Sequence, residues 1–142
     1  MTALGRLVLD TSVALAWCFK DESNPYADKI AKRLPNIEMI VPGIWPLEVA
    51  NALLMGERRK RSTQADTVLW TGFLATLTII VDGETSDRAF GETLNLARTH
   101  NLSAYDAAYL ELALRLGLPL ATLDEKLKVA AGAVGVELFE TS

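Results

Sequence analysis

Short apolar runs alternate along this chain with longer stretches in which apolar residues recur every three or four positions, the periods of strands and of amphipathic helices. The runs at 6–9, 38–41, 78–81, 118–122 and 136–139 predict five strands. Helical spacing predicts an opening helix from Ser12, one from Pro25 to about Leu34, a longer one from Pro46 to about Lys60, and another from Thr63 to Leu77. Two more are expected near 84–99 and 103–116, and a short one after Asp124. Strands separated by helices throughout give an α/β fold with a mostly parallel sheet. Pro35, Pro42-Gly43, Asp82-Gly83, Gly117 and Pro119 punctuate the elements, and no Gly/Ser-rich linker or repeat divides them. Residues 1–142 are therefore expected to form one domain, which at this size can bury roughly 70% of its unfolded surface.

Four acids fall at the joints of this pattern. Asp10 closes the first strand run, Asp124 follows the fourth, and Glu48 and Asp106 open the two long helices at 46–60 and 103–116. In a parallel sheet all strands point the same way, so residues just past their ends gather on the edge where open α/β folds hold ligands. Helices starting there bring their first turns to the same place. Each acid also suits a purely structural role: Asp10 and Asp124 as N-caps, Asp106 with Ser103 as a capping box, and Glu48 as a complement to its helix dipole. Their neighbours favour a joint role. The 103–116 helix is apolar nearly all round, which places Asp106 at the mouth of a buried helix, while Glu111 and Arg115 are spaced to pair across one turn. Asn51 lies one turn beyond Glu48 on its face and is positioned to orient it.

Composition removes competing chemistries. The single Cys18 lies in an apolar stretch and reads as a buried small hydrophobe, and the single His100 sits at a helix end where an imidazolium suits the dipole. Neither a Cys/His zinc site nor a serine or cysteine triad is well supplied. No apolar run is long enough to span a membrane and no signal-peptide pattern opens the chain, so a cytoplasmic location is expected. The net charge of −4 argues against a polyanionic ligand until the four acids are set aside, after which the remainder is neutral. The run Arg58-Arg59-Lys60-Arg61 then stands out, either as a solvated helix end or as phosphate contacts. Arg59 lies on nearly the same helix face as Glu48, about 16 Å along the axis.

Several carboxylates held together raise one another's pKa values, and a hard cation resolves that conflict. Oxygen-only ligands suit Mg²⁺, with Mn²⁺ as an alternative, and two such ions about 4 Å apart would stabilise the attacking and leaving oxygens of an in-line displacement.

Val8-Leu9-Asp10-Thr11-Ser12, Pro46-Leu47-Glu48-Val49-Ala50-Asn51-Ala52-Leu53, Tyr105-Asp106-Ala107-Ala108-Tyr109 and Leu120-Ala121-Thr122-Leu123-Asp124, in this order, resemble the PIN-domain ribonucleases, specifically VapC-type toxins. The resemblance runs from Leu7 to about Leu127 and includes the Gly117-Leu118-Pro119-Leu120 link. It implies a five-stranded parallel sheet flanked by helices and a Mg²⁺-dependent endoribonuclease, the toxin half of a type II toxin–antitoxin pair. It further implies Asp10 and Asp106 as principal metal ligands, Glu48 and Asp124 completing the centre, and Ser12 or Thr122 bonded to the carboxylates or metal waters. A homodimer inhibited by a VapB-like antitoxin, which covers the acidic groove and can place an arginine or lysine in it, is part of the same implication. Arg58, Arg59 and Arg61 are the candidates for RNA-backbone contact. Val68-Leu69-Trp70 and Phe73-Leu74, with Trp17 and Phe19, are either a partner surface or ordinary core.

Two other classes compete. A receiver-like phospho-acceptor domain also gathers acids at a parallel sheet edge, but it carries an adjacent acidic pair after its first strand, where this chain has Thr11-Ser12. A PIN-like binding module without catalysis is disfavoured by the intact set of four acids.

Overall fold

A computed structural model describes residues 5–140. Four strands form one parallel sheet: β1 (Gly5–Leu9), β2 (Ile37–Val41), β3 (Ile79–Val81) and β4 (Leu120–Ala121), in the spatial order β3-β2-β1-β4. The helices are α1 (Thr11–Cys18), α2 (Pro25–Ala31), α3 (Trp45–Arg58), α4 (Gln64–Ala75), α5 (Thr85–Arg88), α6 (Leu94–His100), α7 (Ala104–Leu116) and α8 (Glu125–Val134). A 3₁₀ turn spans Lys20–Glu22, and a π-helical turn, Ala89–Thr93, joins α5 to α6. None of the helices is long and apolar enough to cross a membrane.

β1 is one of the two inner strands, and its last three residues, Leu7, Val8 and Leu9, are fully buried. The chain adds β2 and β3 on one side of β1 and then returns to lay β4 on the other, pairing Val8 with Leu120 and Leu9 with Ala121. By the topological rule for α/β sheets, that reversal marks the carboxyl ends of β1 and β4 as the crevice where ligands bind.

The fifth expected strand is not formed. Residues 136–139 reach the sheet only through a single parallel bridge from Leu138 to Leu120, with the Leu120 N–H donating to Glu137 O at 2.9 Å and the Phe139 N–H donating to Leu120 O at 2.9 Å. Their neighbour is too short to pair further. Pro119 has no N–H to offer, and after Ala121 the chain turns out of the sheet to start α8, so β4 is two residues rather than the expected 118–122. The expected 84–99 helix is likewise divided, with Gly91 inside the π turn that interrupts it.

α7 runs through the interior, with Ala107 to Ala113 all buried. Ser103 caps its start by accepting the Asp106 N–H at 3.1 Å, and Gly117 ends it with φ 65°, a conformation that only glycine adopts freely. Thr63 and Asp66 form a full capping box on α4. α4 docks on α1 through edge-to-face pairs, Phe19 with Trp70 at 4.9 Å and Trp17 with Phe73 at 6.2 Å. Gly56 lets α3 pass close to Phe19, since a Cβ there would lie 2.7 Å from Phe19 Cζ.

Candidate functional site

Asp10 emerges from β1 into the crevice and is buried. Its N–H donates to Ala121 O at 3.0 Å, tying the ends of β1 and β4 together. Its Oδ2 accepts from Ser12 Oγ at 2.6 Å and Thr122 Oγ1 at 2.7 Å, while Oδ1 has no hydrogen-bond partner among the described residues. Both hydroxyls are themselves held in place. Ser12 Oγ accepts the Leu123 N–H at 2.9 Å, and Thr122 Oγ1 accepts the Asp124 N–H at 3.0 Å. Asp10 makes no side-chain cap bond to α1, so the capping role open to it in the sequence is not the one it takes.

Glu48 stands in the first turn of α3, half-buried. Its Oε1 accepts from Thr11 Oγ1 at 3.2 Å and from the Tyr109 hydroxyl, and those two hydroxyls lie 2.7 Å apart. Thr11 and Tyr109, not Asn51, therefore orient this carboxylate. Asn51 is exposed on α3 and has no hydrogen bond among the described residues. Sequence reasoning missed Thr11 and Tyr109 as site residues. Tyr109 did carry a signal: it lies one turn from Asp106 inside an otherwise apolar helix, where a buried hydroxyl needs a partner.

Asp106 occupies the first turn of α7 and is half-buried. Asp124 caps α8 by accepting the Leu127 N–H on Oδ1 at 3.1 Å, as its structural alternative required, which leaves Oδ2 free of that bond. The four acids are electrostatically connected. Burial pushes the Asp10 carboxyl above its ordinary value, the Ser12 and Thr122 hydrogen bonds oppose that, and the charges of Asp106 and Glu48 push it further up. Burial also raises Asp106, with Asp124 acting in the same direction, while the Ser103 hydrogen bond and Lys126 oppose. Tyr109 is pushed far above the usual phenol range by burial and by donating to the Glu48 carboxylate, so it stays a hydroxyl donor.

The donor set fits a hard divalent cation: carboxylates and hydroxyls only, an Asp10 Oδ1 without a hydrogen bond among the described residues, and like charges that a cation would relieve. Among the described residues no three Asp, Glu, His or Cys side chains close around a single point. Mg²⁺ does not require that, since it keeps several waters and takes one or two carboxylates.

The basic run at the end of α3 divides. Arg58 and Arg59 are exposed and without ion pairs among the described residues. Arg61 is engaged internally, bonded to Asp21 at 2.8 Å and Glu22 at 3.0 Å and lying 4.4 Å over the Phe19 ring. The apolar face of α4 divides too: Leu74 and Phe19 are core, whereas Val68 and Leu69 are about 70% exposed, at 69% and 70%.

A parallel sheet with acids gathered at the β1/β4 crevice defines a fold and site for which a family match is found: residues 7–133 match the PIN domain family. The chain belongs to that family, whose members are generally nucleases. This sets aside the receiver-like alternative. No curated protein matches the chain. Among solved structures it is similar in fold to PAE2754 from Pyrobaculum aerophilum, at 23% identity and TM-score 0.63 over 91% of this chain and 87% of that one. VapBC2 from Rickettsia felis, bound to a DNA fragment from their promoter, is similar at 16% identity and TM-score 0.62 over 94% of this chain and 97% of that one. VapBC-1 from nontypeable Haemophilus influenzae is similar at 16% identity and TM-score 0.62 over 96% and 98%.

Proposed function

We propose that this chain is a divalent-metal-dependent endoribonuclease, using Mg²⁺ or Mn²⁺, and that it acts in the cytoplasm as a single-domain VapC-like toxin restrained by a VapB-like antitoxin. The observation that supports the chemistry is the chain of like-charge coupling that links Asp10 to Asp106 and Glu48, and Asp106 to Asp124. The toxin reading is supported by PIN family membership and by the VapBC proteins among the fold neighbours.

In this reading Asp10 and Asp106 are the principal metal holders, and Glu48 and Asp124 complete the acidic centre. A bound divalent ion supplies positive charge beside the scissile phosphodiester and makes the attacking water more acidic. Ser12 and Thr122 occupy Oδ2 of Asp10, which leaves Oδ1 as the oxygen available to a metal ion. Thr11 and Tyr109 hold Glu48 in one orientation, the outer hydrogen-bonding layer that metal carboxylates need. Arg58 and Arg59, exposed at the far end of α3, contact the RNA backbone. The exposed Val68 and Leu69 of α4 are the candidate surface for the antitoxin or for a second copy in a homodimer.

The test is incubation of the purified protein with total RNA in Mg²⁺ and in EDTA, beside Asp10→Asn and Asp106→Asn, with new 5′ ends mapped. Cleavage at defined sites in Mg²⁺ alone, absent from both variants, is expected. Cleavage that survives EDTA or both substitutions would overturn the mechanism, and no cleavage by the wild type would favour a non-catalytic binding module.

A further inference from the structure

Beside Glu48, the residues Ile44, Leu47, Asn51 and Tyr105 line a concavity of about 320 Å³, with Glu48 as one wall. Leu47 is 76% and Tyr105 63% exposed, so neither is explained by core packing. Each directly precedes a site acid in its helix, Leu47 before Glu48 in α3 and Tyr105 before Asp106 in α7. Asn51 adds an amide, two donors and an acceptor, that is without a hydrogen bond among the described residues.

Resting on the nuclease reading above, we propose that this concavity holds an unpaired nucleobase adjacent to the phosphodiester bond addressed by the acids. The Tyr105 ring is the stacking surface, Ile44 and Leu47 the apolar lining, and Asn51 the group that bonds the base edge. Continuity favours this occupant, because Glu48 belongs both to the acidic centre and to the concavity wall. Charge favours it as well. The remaining lining is uncharged, and Glu48 repels a phosphate there while tolerating a neutral ring. Bases in single strands stack on aromatic side chains whatever their identity, so such a subsite positions the strand without dictating a sequence.

The experiment compares the full chain with Tyr105→Ala and Tyr105→Phe in two readouts. One is kcat and KM for an RNA that the wild type cuts. The other is binding of a short fluorescein-labelled single-stranded RNA by anisotropy, in an Asp10→Asn background and Mg²⁺. Loss of one stacked base is expected to raise KM and Kd roughly tenfold to a hundredfold in Tyr105→Ala, with kcat less affected and Tyr105→Phe restoring most of the affinity. An abasic residue beside the mapped cut should penalise the wild type by a similar factor and add little to Tyr105→Ala. KM and Kd within about twofold of wild type in Tyr105→Ala, or an equal abasic penalty in both proteins, overturns the subsite. If the wild type cuts no RNA but Tyr105→Ala still weakens RNA binding, the subsite stands and the nuclease reading falls. If RNA is neither cut nor bound, both fall. Should Tyr105→Ala leave RNA untouched and instead abolish association with a co-expressed partner protein, the concavity belongs to that protein and the proposal is overturned.

Discussion

Tyr109→Phe removes one oxygen from the interior and tests the outer layer of the site. Tyr109 is fully buried, and its hydroxyl touches both the Glu48 carboxylate and Thr11 Oγ1. A hydrogen bond to a charged acceptor is worth about 1.5–3 kcal/mol. Part of that is recovered, since Glu48 is half-exposed and can rehydrate while Thr11 remains bonded to it. A loss of about 1–2 kcal/mol is expected, which for a domain of this size lowers Tm by about 3 to 8 °C. Activity should fall further than stability explains, by roughly tenfold to a hundredfold in kcat/KM, as for other partners that position metal carboxylates. Urea unfolding and RNA cleavage measure the two effects. A cycle with Glu48→Gln isolates the pair, with a coupling of about 1 kcal/mol or more expected. Additivity within about 0.3 kcal/mol, or an unchanged kcat/KM, would refute the view that Tyr109 acts through Glu48.

Mg²⁺ titrated into the wild type should raise Tm, by an amount corresponding to about 2.7 kcal/mol at a hundred times its Kd, and Asp10→Asn should lose that response; an equal rise in both proteins would place the ion elsewhere. Arg115→Met leaves the buried Glu111 and the partly buried Asp82 without their cation and should cost about 3 kcal/mol in urea unfolding at neutral pH. Its pH dependence has a definite sign. Bonding to Arg115 holds Asp82 below its ordinary 3.8, so the unfolded chain binds more protons near that pH, and the contribution is full above 3.8 and lost as pH falls through the lower folded value. The wild type should therefore lose more stability than Arg115→Met between pH 5 and pH 3, and parallel curves would contradict the pairing. Gly56→Ala forces a methyl against the buried Phe19 ring, so despite the helix propensity gained it should destabilise by about 1–2 kcal/mol; a neutral or stabilised variant in thermal melts would show that the contact between α3 and Phe19 gives way freely.

What the sequence made legible was local. β1 and β2 follow from apolar runs bounded by Gly, Asn, Pro and Asp, and α7 from its periodicity with Ser103 before it and Gly117 after it. The four acids could be proposed as a set because parallel strands share one edge. The fifth strand failed because a run of apolar residues cannot report whether its neighbour has length enough to pair, and β4 has only two residues. Thr11 and Tyr109 were missed for a related reason. Their bond joins positions 98 apart, and the one from Tyr109 to Glu48 spans 61, so only the packed structure shows that the three meet. Asn51 was the local choice for the same task, and distance along one helix was the wrong guide.

The chain contains a second gathering of acids that serves as an internal comparison. Arg115 gathers the buried Glu111, the mostly buried Asp82 and the exposed Glu84, bonding to them at 2.8, 2.7 and 3.4 Å. The sequence thus supplies its own cation where acids serve the fold, and the result is a depressed Asp82. At the crevice the same chemistry is left incomplete. Among the described residues Asp10 receives only neutral hydroxyls, Asp106 has no ion pair and only the charge of Lys126 against its acidic neighbours, and both carboxyls are raised. A folded chain that compensates one buried acidic group internally and not the other carries the second at a cost in stability, unless a cation arrives from outside. On the proposed function two such cations exist at different times, the divalent ion of the active enzyme and a basic side chain of the antitoxin. Both would answer the same deficit, so inhibition and metal binding should compete, and antitoxin affinity should fall as Mg²⁺ rises.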